Sequence, residues 1–152
     1  MKPFQYRLQF LHHLREKAKD NAQETYANAM QDRIQQEKIC DKISTHITGV
    51  ANKIQDHVQQ GMSASMMASF YASMANAKQL LRESQELVSE KEKVEERQRQ
   101  EYLARKSDFD ALDKHRERKK DEHNFHEFKE EEKMLEEIAN NRSSFHSPLI
   151  HS

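Results

Sequence analysis

The sequence has very little proline, glycine and cysteine. Its 152 residues include two prolines, two glycines, one cysteine and no tryptophan. Both prolines, Pro3 and Pro148, lie near the ends of the chain, where they interrupt no long helix. The two glycines, Gly49 and Gly61, are too few to form a glycine-rich phosphate-binding loop. Cys40 has no partner for a disulfide within the chain, and its place on an apolar stripe predicts a small buried thiol.

Long apolar runs and an excess of one charge are also missing. Hydrophobic residues make up 35% of the chain, charged residues make up 34%, and the formal net charge is −1. Such a composition fills a narrow seam between helices rather than a wide core, and the low net charge argues against disorder. Nucleic-acid binding depends on a basic surplus that is absent here. With no run near the roughly 20 apolar residues of a membrane span, and no secretory signal, the sequence predicts a cytosolic protein.

The residue spacings of the known catalytic and metal sites are absent as well. None of the nine histidines has a glutamate three residues before it, the spacing that helical di-iron proteins use. The stretch "HEFKE", residues 126–130, lacks the second histidine of the zinc-protease helix. The serines and tyrosines have no associated base at a recognisable spacing. We therefore expect no catalytic residue, no cofactor and no functional metal site, and predict that the protein is not an enzyme.

What the sequence does contain is apolar residues spaced alternately three and four apart, which is typical of a heptad seam on a helix. This pattern predicts one helix over residues 4–60, a second over residues 64–142, and a flexible tail over residues 143–152. The first stripe comprises Leu8, Leu11, Ala18, Ala22, Tyr26, Ala29, Cys40, Ile43, Ile47, Val50, Ile54 and Val58, with a polar interval at Arg33 and Gln36. The second comprises Met67, Phe70, Met74, Ala77, Leu81, Leu87 or Val88, Val94, Tyr102, Phe109, Leu112, Met134, Leu135 and Ile138.

The two stripes are separated by "QQGMSAS", in which Gly61 can end one helix and Ser63 or Ser65 can cap the next. The predicted fold is therefore all-α: a long antiparallel two-helix coiled-coil hairpin that forms a single domain over residues 1–142, with its turn at residues 61–63. The alternative is one bent helix that pairs with a second copy of the chain.

The unequal lengths of the two helices predict an overhang. If the chain folds back at Gly61, Phe4 lies beside residues 118–120, and the last twenty or so residues of the second helix have no partner in the hairpin. This overhanging end carries an apolar stripe of Phe125, Phe128, Leu135 and Ile138. Exposed apolar surface of this kind marks a binding site, so we expect another protein to cover it.

Two stretches resemble a known family. The opening "FQYRLQFLHHLREKAKDNA", residues 4–22, and the closing "RKKDEHNFHEFKEEEKMLEEIANNR", residues 118–142, are similar to the two ends of the flagellar export protein family FliJ. The chain length and the glycine near residue 60 also fit. The resemblance implies a hairpin like the stalk of rotary ATPases, acting in the flagellar type III export apparatus and hence in flagellum biogenesis, motility and chemotaxis.

The resemblance also implies partners. The family's stalk and chaperone protein inserts the end that carries both termini into a hexameric export ATPase and promotes assembly of the ring. It contacts a membrane export gate protein and binds export chaperones, so it is cytoplasmic and reaches the cell membrane only through protein partners. Carried over to this sequence, the ATPase-ring-binding residues are Phe4, Arg7, Leu8, Leu11, Arg15, Lys133, Leu135, Ile138 and Arg142. The export-gate-binding residues are Ile39, Ile43, Val50, Ala77 and Leu80.

Some of these residues have a second interpretation. Leu8, Leu11, Ile43 and Val50 also lie on the predicted seam, where they would pack within the hairpin. Two other functions stay open at this point: a generic cytosolic coiled-coil scaffold that forms a parallel homodimer, and the equivalent stalk of a virulence-type secretion system.

Overall fold

The structure, a computed structural model, describes residues 2–146. Helix α1 spans Gln9–Gln60 and helix α2 spans Ala64–His146, and residues 2–146 contain no β-strand. The two helices pack against each other as a hairpin, which confirms the predicted all-α antiparallel fold with its overhanging C-terminal end. Helix α2 continues four residues beyond the predicted end at Arg142. The rest of the predicted flexible tail, residues 147–152, lies outside the described residues.

Helix α1 begins at Gln9, five residues later than the predicted start at Phe4. Residues 2–6 have no regular secondary structure, and residues 7–8 form a turn in which the Gln9 amide donates to the Tyr6 carbonyl over 3.1 Å. We refer to residues 2–8 as the N-terminal strap. Phe4 and Tyr6 direct their rings onto histidines of α2, and these long-range contacts outweigh the helical pattern of the local sequence.

The connection at residues 61–63 has the geometry of two helix caps. Gly61 has φ of +89°, the left-handed conformation that usually follows the last residue of a helix. Its amide donates to the Val58 carbonyl over 3.3 Å. On the other side, the Ser63 hydroxyl accepts from the Met66 amide over 3.2 Å. Ser63, rather than Ser65, is therefore the N-cap of α2.

The described chain divides into two compact units: residues 19–105 form one, and residues 2–18 with residues 106–146 form the other. The single domain predicted over residues 1–142 stays a prediction. In the unit of residues 19–105, the side chains that face between the helices are small. Ala22, Ala29 and Ser84 are buried, and the Tyr26 and Tyr102 rings stack with centroids 6.2 Å apart. No described side chain in the chain is fully buried, so the core is a thin seam.

The polar interval of the first stripe forms bonds between the helices. Arg33 donates from Nε to the carboxylate of Glu95 and from Nη1 to Glu37 over 3.0 Å. The bonds to Glu95 and then Glu37 raise the pKa of Arg33 above its ordinary value, so the guanidinium stays charged. Three residues further along, the Gln36 amide donates to the Ser84 hydroxyl over 3.1 Å. These polar contacts replace apolar ones where the stripe is interrupted.

Candidate functional site

The N-terminal strap is bound to α2 by two histidines. The ring of His123 donates from Nε2 to the carbonyl of Lys2 over 2.9 Å, and it lies 5.7 Å from the Phe4 ring. Two turns earlier on α2, the His115 Nδ1 atom shares a 2.5 Å hydrogen bond with the Tyr6 hydroxyl. Because His115 and His123 are eight residues apart, they lie near the same face of α2 and hold the strap along it.

Arg116 and an open cavity complete this arrangement. The Arg116 guanidinium lies 6.0 Å from the centre of the Phe4 ring and donates from Nε to Gln9 over 3.2 Å. A cavity of about 500 Å³ is lined by the strap together with His115, Lys119 and His123. Phe4 therefore has contacts on α2 that fix its ring in place, and it lies beside residues 116–123, close to the predicted register of 118–120.

A buried polar pair follows at the start of α1. His12 is buried, its Nε2 donates to the Asp113 carboxylate over 2.9 Å, and its ring lies 5.0 Å from the Phe109 ring. His12 Nδ1 is buried and has no hydrogen-bond partner among the described residues. One turn later, Arg15 donates from Nη1 to the backbone carbonyl of Asp108 over 3.1 Å. These contacts bind α1 to α2 through polar groups that the apolar stripe did not predict.

The overhanging end of α2 is exposed throughout. Every side chain from Phe128 to Ser144 is exposed, and Leu135 and Ile138 expose 67% and 51% of their surface. Lys133 and Arg142 are exposed beside them. These four residues were predicted to bind an ATPase ring, and their surface is available to a partner.

The residues predicted to bind the ATPase ring therefore fall into two groups, those that pack against the hairpin and those that are exposed. Phe4 and Leu8 are half-buried, and Arg15 is bound to the backbone of α2. Arg7 and Leu11 on the same segment are exposed. Of the predicted set, the exposed residues that a partner can reach are thus Arg7, Leu11, Lys133, Leu135, Ile138 and Arg142.

The predicted gate-binding set is divided in the same way. Ile39 on α1 and Leu80 on α2 expose 48% and 53% of their surface. Ile43, Val50 and Ala77 are half-buried on the seam. Only Ile39 and Leu80 can therefore contact a partner fully without a change in the packing of the hairpin.

A further surface near the turn escaped the sequence analysis. Residues 58–77 contain no acidic or basic side chain, although a third of the whole chain is charged. Within this uncharged segment, Met66 and Tyr71 are exposed, whereas Phe70 contacts the ring of His57 at 5.6 Å. The absence of charged side chains over residues 58–77 is the sequence feature by which this surface could have been predicted.

The described residues contain no group of three or more histidine, cysteine or acidic side chains placed to hold a metal ion. Among the same residues, neither helix has a stretch apolar enough to cross a membrane.

The sequence also matches a known protein family. The sequence model of the flagellar FliJ protein family matches residues 4–146, which cover both helices and most of the strap. The chain belongs to the FliJ family. FliJ-family membership assigns it to flagellar protein export, the process that the two terminal stretches had predicted.

One solved structure supports the same architecture. A protein from Chlamydia trachomatis, described as a homologue of YscO, matches this FliJ-family chain with a TM-score of 0.54 and 16% sequence identity. The match covers 95% of this chain and 98% of the other. At that identity the likeness shows a shared fold. No protein of curated function matches the sequence significantly.

Proposed function

We propose that this FliJ-family protein is the soluble stalk and chaperone component of the flagellar type III export apparatus. It binds the hexameric export ATPase, promotes assembly of the ring, and links the ring to the membrane export gate. It acts as a non-catalytic adaptor that needs no cofactor. It also binds export chaperones, and it resides in the cytoplasm, reaching the inner face of the cell membrane through its protein partners.

The observation that carries the proposal is the exposed overhanging end of α2. Leu135 and Ile138 on this end expose 67% and 51% of their surface, and α1 offers them no partner. Transfer of such side chains from water into an apolar contact is favourable by about 1.5–3 kcal/mol each when burial is complete. A ring that surrounds this end would bury both residues, with Lys133 and Arg142 on the same end available to acidic groups of the ring lining.

The double substitution of Leu135→Asp and Ile138→Asp tests this assignment. Both side chains are exposed, so we expect the helical circular dichroism to be unchanged. Binding to the export ATPase should be lost, because two carboxylates would have to be desolvated at the contact. Pull-down or sedimentation with the purified ATPase measures the binding, and circular dichroism checks the fold.

Leu103→Asp is the matched control, because Leu103 is an exposed leucine of α2 outside the proposed contact. This variant should bind the ATPase like the native protein. A large loss of helical signal in the double variant would mean that Leu135 and Ile138 are paired within the chain. Unchanged ATPase binding by a folded double variant would exclude the overhanging end as the contact.

The gate contact is proposed for a separate surface. Ile39 and Leu80 are the two members of the predicted gate set that are exposed, and the other three are half-buried on the seam. We assign first contact with the export gate to Ile39 and Leu80, while Ile43, Val50 and Ala77 support the backbone beneath them.

The second candidate function is the equivalent stalk of a virulence-type secretion system. It is favoured by the shared fold with the protein described as a YscO homologue. The genes next to the one that encodes this chain would distinguish the two: flagellar export genes support the first proposal, and virulence secretion genes support the second.

A further inference from the structure

The C-terminal half of α2 carries a second heptad stripe, which does not face α1. The residues that face α1 include Phe109, Leu112 and His123, each of them buried or half-buried. A different set recurs at alternating spacings of three and four along the same stretch, and every member is exposed. This outer stripe consists of Ala111, Lys114, Arg118, Asp121, Phe125, Phe128, Glu132 and Leu135.

Apolar residues lie at the middle and at both ends of the outer stripe. Phe125 and Phe128 expose 63% and 59% of their surface at positions where most phenylalanines are covered. The Lys129 ammonium of the same helix lies 5.6 Å from the centre of the Phe125 ring. Two adjacent exposed phenylalanines on a heptad-spaced stripe are typical of a helix face that pairs with another helix.

The charges of the outer stripe identify its partner as a second copy of the same helix. Lys114, Arg118 and Asp121 precede the two phenylalanines along the helix, and Glu132 follows them. Lys114, Arg118 and Asp121 make no hydrogen bond or ion pair within residues 2–146, so their charges are available. In a parallel pair each of these residues would face the same residue of the second copy, and every charged contact would be repulsive.

An antiparallel pair gives the opposite result. When the twofold axis lies between Asp121 and Phe125, Lys114 faces Glu132 of the second copy and Arg118 faces the ring of Phe128. Ala111 then faces Leu135 at each end, and Asp121 faces the ring of Phe125 next to the axis. Three of the four facing pairs are therefore complementary in this register: an ion pair, a cation–π contact and an apolar contact, each of which occurs twice.

We infer that the outer stripe is an interface through which two copies of this chain associate as an antiparallel coiled coil. The inference goes beyond the proposed function and does not depend on it. Leu135 belongs both to this stripe and to the proposed ATPase contact, so self-association and ring binding exclude each other. The dimer would thus cover the overhanging phenylalanines before the ATPase is bound.

Sedimentation equilibrium of the full chain, alone and over a range of concentrations, tests the interface. The native protein should show a monomer–dimer equilibrium. Phe128→Ser should shift it to monomer, because it removes the contact between this ring and Arg118 of the second copy at both places where it occurs. Phe10→Ser is the matched control: Phe10 is 76% exposed, lies outside the stripe, and its substitution should leave the dimer intact.

Charge reversal tests the register. Lys114→Glu alone and Glu132→Lys alone should each weaken the dimer about tenfold or more, since two attractive contacts become repulsive in each homodimer. An equimolar mixture of the two variants should regain dimer, because every Glu then faces a Lys. Circular dichroism of each variant verifies that the helices are unchanged.

Three results would overturn the inference. The native chain could stay monomeric at every concentration, Phe128→Ser could leave the association unchanged, or the mixed variants could fail to associate. All three are measured without the ATPase, so failure of the proposed ring contact leaves the outcome of this experiment unaffected.

Discussion

At the scale of the residue, the two glycines of the chain have opposite roles. Gly61 adopts φ of +89° at the end of α1, whereas Gly49 lies within the helix in an ordinary helical conformation. Apart from its chain neighbours and the backbone of its own helix, neither has another atom within 4 Å of the place where a Cβ would be. Any difference between alanine substitutions at these two sites therefore reflects backbone conformation and not steric contact.

Gly61→Ala should lower the free energy of unfolding by about 1–2 kcal/mol, because an L-residue is strained in the left-handed region. Gly49→Ala should raise the free energy of unfolding by up to about 1 kcal/mol, because alanine is the better helix former. Urea unfolding followed by circular dichroism measures both. Equal effects at the two sites would contradict the cap geometry at Gly61.

The sequence was least informative about which polar residues are buried and which partners they bond. His12 and Ser84 are buried, although their types favour exposure, and Leu11 next to His12 is exposed. A heptad pattern records only the apolar positions of a seam. It cannot reveal that Asp113 would satisfy one histidine nitrogen, or that Gln36 would satisfy a serine hydroxyl, since these partners lie far away along the chain.

At the scale of the element, both helices and the turn between them could be predicted, since Gly61 and Ser63 supply local signals that operate regardless of the rest of the chain. The start of α1 could not. The strap of residues 2–8 is held by His115 and His123, more than a hundred positions away. The spacing of Phe4, Leu8 and Leu11 predicted a helix from Phe4. Long-range aromatic contacts determine the conformation of this segment instead.

The gate proposal belongs to this scale because its residues come from both helices. Ile39→Asp combined with Leu80→Asp should weaken binding to the cytoplasmic part of the export gate by about tenfold or more, since two exposed apolar contacts are lost. Thermal unfolding should be little changed. Binding to the immobilised gate domain measures the effect.

Ile43→Asp provides the contrasting control, because Ile43 is half-buried on the seam. It should lower the melting temperature clearly. Full gate binding by the folded Ile39→Asp, Leu80→Asp variant would exclude this surface.

At the scale of the whole molecule, family membership and hairpin fold agree with the terminal stretches of the sequence. The site prediction is more mixed, because a family pattern does not separate residues that bind a partner from residues that bind the other helix. Phe4 and Arg15 contact α2 and Leu8 is half-buried, whereas Leu135 and Ile138 are exposed. The exposure of Leu135 and Ile138 follows from the register of the hairpin, which the fold-back at Gly61 predicts from the sequence.

The central claim is that this chain is the stalk of the export ATPase, and the most direct measurement is the hydrolysis rate of the same organism's flagellar export ATPase. The ATPase would be titrated with the purified chain at fixed ATP, and the same samples would be sedimented. We predict that hydrolysis rises with added chain until it saturates, together with a hexamer peak. A flat titration without a hexamer peak would contradict the stalk assignment.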